Sequence, residues 1–248
     1  MYIMDDGIRL NAKLDMPVNY RAGQRCPLVV VIHGFTGHIE EEHIIAVSRG
    51  MNEIGFATLR ADMYGHGQSD GEFRKHTLFK WMTNALTVID YARGLDFVTD
   101  IYLCGHSQGG LTVMLAAALK NDDIKAAMPL SPACMIPEIA RKGELLGQTF
   151  DPDHIPDTLG AWDDRELDGN YARVAQTIHV EDAIARYKGP VLIVHGDADE
   201  AVPVQYGIDA AKAYANAKLV LIPGDDHCYN SHLDMAVDAV RDWMRQFV

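Results

Sequence analysis

Cysteine is scarce in this chain: Cys26, Cys104, Cys134 and Cys228 stand far apart among 248 residues. None belongs to a C-x-x-C pair, so neither a zinc knuckle nor a disulfide framework is indicated, and they read as buried thiols of a reducing compartment. Long apolar runs are missing too. No stretch reaches the ~18 residues of a membrane span, and Met1-Tyr2-Ile3-Met4-Asp5-Asp6 has neither the basic start nor the apolar core of a secretory leader. A cytoplasmic chain with no membrane partner is the expectation. Basic charge is the third shortage. Against 35 Asp and Glu stand 22 Lys and Arg, a formal net charge of −13 that repels polyanions and disfavours nucleic acid as a partner. Solubility alone is the simpler account of that charge, and a neutral or small substrate is compatible with it.

What remains is the make-up of an ordinary globular protein, 48% hydrophobic and 23% charged. The length suits one large α/β domain or a core with a modest insertion, and a homodimer is compatible with it. Asp5-Asp6-Gly7 predicts an opening hairpin. Pro27 to Ile32 is a continuous β-branched run typical of a strand buried on both faces. Helical spacing follows from about Glu41 to Ile54, with Gly55 as the stop. Alternation then repeats: strand Phe56 to Ala61, helix Leu78 to Ala92, strand Ile101 to Cys104, helix Gln108 to Leu119, strand Ile124 to Leu130. After a gap come strand Pro190 to Val194, helix Val204 to Tyr214, strand Lys218 to Ile222 and helix Leu233 to Phe247. Strands separated by helices predict a doubly wound, mostly parallel α/β sheet. The gap from Ser131 to about Asp182 is rich in Pro, Asp and Gly and carries Trp162 and Tyr171 without a buried strand run. So long an excursion predicts a lid or binding loop.

The chemistry centres on Gly105-His106-Ser107-Gln108-Gly109, a G-x-S-x-G between a strand and a helix. A serine lifted on a strained turn needs glycine on either side, where a Cβ would strike neighbouring backbone. Ser107 is the candidate nucleophile. Its hydroxyl needs a histidine to take its proton and a carboxylate to orient that histidine. Asp199 and His227 follow late strands in the required order, at the sheet edge where catalytic groups collect. Asp197 competes with Asp199 but suits local turn bonding, and His232 competes with His227 but sits where a helix begins. Oxyanion donors are expected from the N–H of Gln108 and, in His33-Gly34-Phe35-Thr36-Gly37, from that of Phe35. His33, His66, His106 and His195 lie beside glycines at strand ends and read as structural support or pocket lining. Gly65-His66-Gly67-Gln68-Ser69-Asp70 lacks the glycines and lysine of nucleotide loops, so a turn explains it and no cofactor is called for. No tight ligand spacing argues for a metal.

Five blocks in order, His33 to Phe35, Asp62 to Ser69, Gly105 to Gly110, Gly196 to Pro203 and Gly224 to His227, resemble the α/β-hydrolase superfamily. The opening Met1 to Leu10 and the lid stretch from Leu130-Ser131-Pro132-Ala133 through Asp151-Pro152 resemble bacterial cinnamoyl (feruloyl) esterases. That resemblance implies a core of residues 1–132 and 182–248 with an inserted lid, residues 133–181, over an acyl pocket. It further implies an aromatic ester as the small-molecule substrate, with Trp162 packing on its phenolic ring and Tyr171 and Gln148 as polar contacts. The expected activity is a serine carboxylesterase working through an acyl-enzyme. A lipase-like or monoacylglycerol hydrolase is the alternative, an aminopeptidase-like hydrolase a third, and a non-catalytic homologue runs against the intact Ser107, Asp199 and His227.

Overall fold

The chain enters the fold through a hairpin, β1 (Tyr2–Asp5) and β2 (Ile8–Asp15), whose two turn residues Asp6 and Gly7 both take positive φ, 45° and 83°. That is the turn whose twist matches its strands. The computed structural model describes residues 1–162 and 165–248, the side chain of Trp162 also lying outside the description. The hairpin is followed by β3 (Cys26–Ile32), α1 (Glu42–Glu53), β4 (Ala57–Ala61), α2 (Leu78–Arg93), β5 (Val98–His106), α3 (Gln108–Leu119) and β6 (Ile124–Leu130). Next comes an insertion with α4 (Ile136–Arg141), β7 (Glu144–Leu145), β8 (Gln148–Thr149), β9 (Thr158–Trp162), β10 (Arg165–Asp168), α5 (Asn170–Gln176) and α6 (Val180–Arg186). The chain closes with β11 (Val191–Gly196), α7 (Val204–Ala213), β12 (Ala217–Ile222) and α8 (Leu233–Met244). One sheet runs β1-β2-β4-β3-β5-β6-β11-β12, antiparallel through β1 and β2 and parallel from β4 onward.

Alternation within β3 shows why its sequence is apolar throughout. Leu28, Val30 and Ile32 join one core with Trp81, Ala85 and Val88 of α2 and Leu111 and Leu115 of α3. Val29 and Val31 join another with Ile44, Val47 and Met51 of α1 and Val240 and Met244 of α8. Both faces are covered, the condition under which a parallel sheet forms, and each fully buried Leu or Val contributes about 1.5–3 kcal/mol relative to exposure. Thr77 caps α2, its hydroxyl accepting from the Lys80 N–H at 3.2 Å, and Gly55 ends α1 with φ 102°. Among the described residues no helix is long and apolar enough to cross a membrane.

The structure differs from the sequence expectation in three places. β5 spans Val98–His106, longer at both ends than Ile101 to Cys104, because the central position of β5 lets its polar ends pair with β3 and β6. The insertion does contain strands, the antiparallel pairs β7–β8 and β9–β10, each of two to five residues and paired only with each other. Strands so short need no long apolar run. Their inward residues Leu145, Leu159 and Leu167, with Tyr171 and Ala175, belong to the same core as α3. The thiols differ too: Cys26 and Cys104 are buried, whereas Cys134 and Cys228 are only half-buried.

The link between β5 and α3 is closely packed against backbone. Ser107 adopts φ 56° and ψ −119°, a conformation that non-glycine residues avoid at a cost of about 1–3 kcal/mol. A Cβ on Gly105 would collide with the Gly109 carbonyl, and one on Gly109 with the carbonyls of Ile32 and His33. All these neighbours are backbone and cannot swing away. We predict that Gly109→Ala lowers stability in urea unfolding by about 3 kcal/mol or more, and a loss under about 1 kcal/mol would contradict this packing.

Candidate active site

Asp199, three residues beyond the end of β11, is bonded through both of its carboxylate oxygens. Its Oδ1 accepts from the N–H groups of Ala201 (2.9 Å) and Val202 (2.8 Å), in the turn that its own backbone begins. Its Oδ2 accepts from His227 Nδ1 at 2.7 Å and lies 3.2 Å from His195 Nε2. The Asp199 side chain is 0% exposed and that of His227 20%. Burial alone would raise this carboxyl, but the hydrogen bonds from His195, His227 and the Val202 amide outweigh it and hold Asp199 well below the usual carboxylate range. The carboxylate is therefore ionised and accepts the His227 Nδ1 proton, which leaves Nε2 of that ring free to act as a base.

His227 is fixed from its backbone as well. His106 Nε2 donates to the His227 carbonyl at 2.8 Å, and the two rings stand 4.7 Å apart. Within the loop, Asp226 Oδ1 accepts from the N–H groups of Cys228 and Asn230, while buried Asp225 accepts from those of Ser231 and His232. Tyr229 donates to the Val194 carbonyl at 3.0 Å and shares a 2.8 Å hydrogen bond with Ser131. Sequence inspection did not single out Asp225, Asp226 or Tyr229, since their partners lie in backbone amides and in distant strands. The competing groups sit elsewhere. Asp197 Oδ1 accepts from the Gly224 N–H at 2.6 Å, a turn-to-turn tie, and His232 stands at the N-cap of α8 with its side chain 45% exposed.

Ser107 follows β5 and is 8% exposed. The loop after β3 passes directly against it: a Cβ on Gly34 would lie 3.2 Å from both Ser107 Cβ and His106 Nδ1. Phe35, next in that loop, packs edge-on against Phe73 and Tyr171 at ring separations of 5.3 and 6.2 Å. Gln108 opens α3, so its N–H belongs to the first turn, where helix amides have no partner within the helix. Tyr171 of α5 donates to Gln108 Oε1 at 2.6 Å and is 1% exposed. The Tyr171 hydroxyl, expected as a polar contact with the ring substituents of a substrate, gives its proton to Gln108 here. Gln148 is exposed in β8 and borders Gly160 of β9. The Trp162 side chain lies outside the described residues. Among the described residues no group of three or more His, Cys, Asp or Glu could hold a metal ion.

Behind the loop after β3 sits an imidazole cluster. His33, His66 and His76 pack around Trp81 with ring separations of 5.0, 4.9 and 5.9 Å, and His43 stands 4.3 Å from His106. Burial pushes His33 and His43 down to about 4 and His66 and His76 to about 3, and it holds His106 well below the ordinary value. These rings stay neutral in the fold, whereas an unfolded chain protonates them near pH ~6.5. Stability is therefore complete above about pH 6.5 and is lost as the pH falls towards 4, at up to about 1.4 kcal/mol per pH unit for each histidine. We predict that stability in urea unfolding drops by about 3 kcal/mol or more between about pH 6.5 and 5, and an unchanged midpoint would contradict neutral burial.

Comparison with known proteins places the chain in a family. The family model described as serine aminopeptidase, S33, matches residues 23–158. A structure of Est1E from Butyrivibrio proteoclasticus with ferulic acid bound superimposes with a TM-score of 0.97 at 65% identity, covering 99% of this chain and 98% of that one. Alpha/beta hydrolase domain-containing protein 10 from mouse shares the fold, with a TM-score of 0.76 at 19% identity over 100% of this chain and 99% of its own. Among curated proteins, human ABHD12B is 26% identical over 229 residues, and the match spans 88% of this chain but only 60% of the length of ABHD12B. The chain belongs to the serine hydrolase family of that model and adopts the α/β-hydrolase fold.

Proposed function

We propose that this protein is a serine carboxylesterase of the bacterial cinnamoyl (feruloyl) esterase type, hydrolysing hydroxycinnamate esters. The observation that carries the proposal is the 65% identity, over nearly the whole of both chains, to a protein solved with ferulic acid in place. The Asp199–His227 hydrogen bond at 2.7 Å supports the chemistry. Ser107 Oγ attacks the ester carbonyl while His227 Nε2 takes its proton, and the resulting imidazolium is stabilised by Asp199. The Gln108 and Phe35 amides donate to the oxyanion. Collapse of the tetrahedral intermediate expels the alcohol, protonated by His227, and leaves the acyl group on Ser107. Water that gives its proton to His227 then attacks the acyl-enzyme, and the second tetrahedral intermediate collapses to the free acid as His227 returns that proton to Ser107 Oγ. None of these steps draws on a cofactor.

Residues 133–181 act in this proposal as a lid over the acyl side. In this proposal a substrate reaches Ser107, which is 8% exposed, by way of that insertion. Trp162 is its aromatic platform and Gln148 a polar contact at its rim. Tyr171 serves through Gln108, holding the first turn of α3 in place. Arg74 clamps the lid to the core by bonds to Asp168 at 2.7 and 2.9 Å.

We expect the protein to hydrolyse methyl ferulate with a higher kcat/KM than p-nitrophenyl butyrate or a long-chain acyl ester, and Ser107→Ala to abolish turnover with the fold retained. Serine-dependent activity on the acyl esters alone would discard the cinnamoyl assignment and leave a lipase-like hydrolase. Turnover surviving in Ser107→Ala would move the nucleophile elsewhere.

A further inference from the structure

The His195 ring stands on β11, 0% exposed, beside the equally buried side chain of Asp199. Its Nε2 lies 3.0 Å from the Val202 carbonyl and 3.2 Å from Asp199 Oδ2. Both are acceptors, so Nε2 must carry the proton and share it between them, and Nδ1 is the bare nitrogen. That Nδ1 is buried without a hydrogen-bond partner and faces Gly207 of α7, where a Cβ would collide with it. A buried acceptor with no donor destabilises the fold, and a phenylalanine of similar shape would avoid the penalty. His43, His66 and His76 also bury a nitrogen without a partner, and what sets His195 apart from them is that its other nitrogen reaches the carboxylate to which His227 is bonded.

We infer that His195 is a positioning residue, a second imidazole donor to Asp199 that sets, through that carboxylate, the orientation and basicity of His227. Oδ2 divides its electron density between two N–H groups. With His195 in place the carboxylate cannot rotate and its pull on the His227 proton is moderated. Without it, Oδ2 is given over to His227, the imidazolium gains stability, and the base becomes protonated at a higher pH. Other titratable groups around the pair are His106 at the end of β5, His43 of α1, Glu41 before it, and Asp225, Asp226, Cys228 and Tyr229 in the loop after β12. They are the same in parent and variant, so a difference between the two reports on His195.

The inference rests on the proposed roles of Ser107, Asp199 and His227, and its failure is distinguishable from theirs: theirs would appear as activity surviving in Ser107→Ala. The test is kcat and KM from about pH 5 to about pH 9 for His195→Phe and His195→Gln, with thermal unfolding of each variant. For His195→Phe we expect the acid limb of kcat/KM to move up by about half to one pH unit, with kcat at the plateau lower by about ten-fold and KM little changed. The Gln amide N–H reaches the same acceptors and should return the limb towards that of the parent. If the Phe variant does not fold, His195→Met, also without a donor, takes its place. A folded Phe or Met variant with the acid limb of the parent would overturn the inference. So would Gln and Phe variants shifted alike, which is what a purely structural role produces.

Discussion

The site depends on a carboxylate kept charged where water does not reach it. Burying an ion is costly unless every lone pair is matched, and Asp199 meets that condition with two backbone amides on one oxygen and two imidazoles near the other. The consequences spread outward. The turn from Gly196 to Val202 must fold around the carboxylate, β11 must end where it does, and the loop after β12 must bring His227 within 2.7 Å. Asp225, Asp226 and His106 hold that loop by its backbone, so the ring is placed without its Nε2 being engaged.

The parallel sheet makes such an assembly feasible. Strands that run the same way deliver their C-terminal ends to one edge, and β3, β5, β11 and β12 each release a loop there. The elbow at Ser107 adds strain that Gly105 and Gly109 make tolerable, and the packed helix α3 over-determines it. The loop after β3 that carries Phe35 is backed by the imidazole cluster and Tyr171, whose rings pack between sheet and insertion. Those histidines are neutral packing groups. Their presence ties the integrity of the site to pH independently of the chemistry at His227.

Much of this could be read from the sequence because it is local. Apolar β-branched runs such as Leu28 to Ile32 mark two-faced strands, and the glycines flanking Ser107 mark an elbow wherever strand and helix meet. The order Ser107, Asp199, His227 follows the chain, so candidates could be chosen by position. What could not be read depends on meetings between distant residues. The hairpins β7–β8 and β9–β10 are too short for periodicity to show, and the ends of β5 are strand only because neighbours pair with them. Tyr171 carries no sign in its own segment that its hydroxyl would find Gln108, 63 positions away. His195 was legible as support beside a glycine, but not as a donor to Asp199, since the turn between them decides which way the ring faces.

The central claim is that buried, ionised Asp199 makes His227 a base for Ser107. The most direct measurement is the rate at which a serine-directed aryl phosphonate labels Asp199→Asn, with the labelled residue identified by mass spectrometry. An amide accepts at one end only, so its NH2 must face either the imidazoles or the Ala201 and Val202 amides, and the account predicts labelling at Ser107 slowed by about 10³- to 10⁴-fold against the parent. Labelling of the variant within about ten-fold of the parent rate, or a label on any other serine, would contradict it.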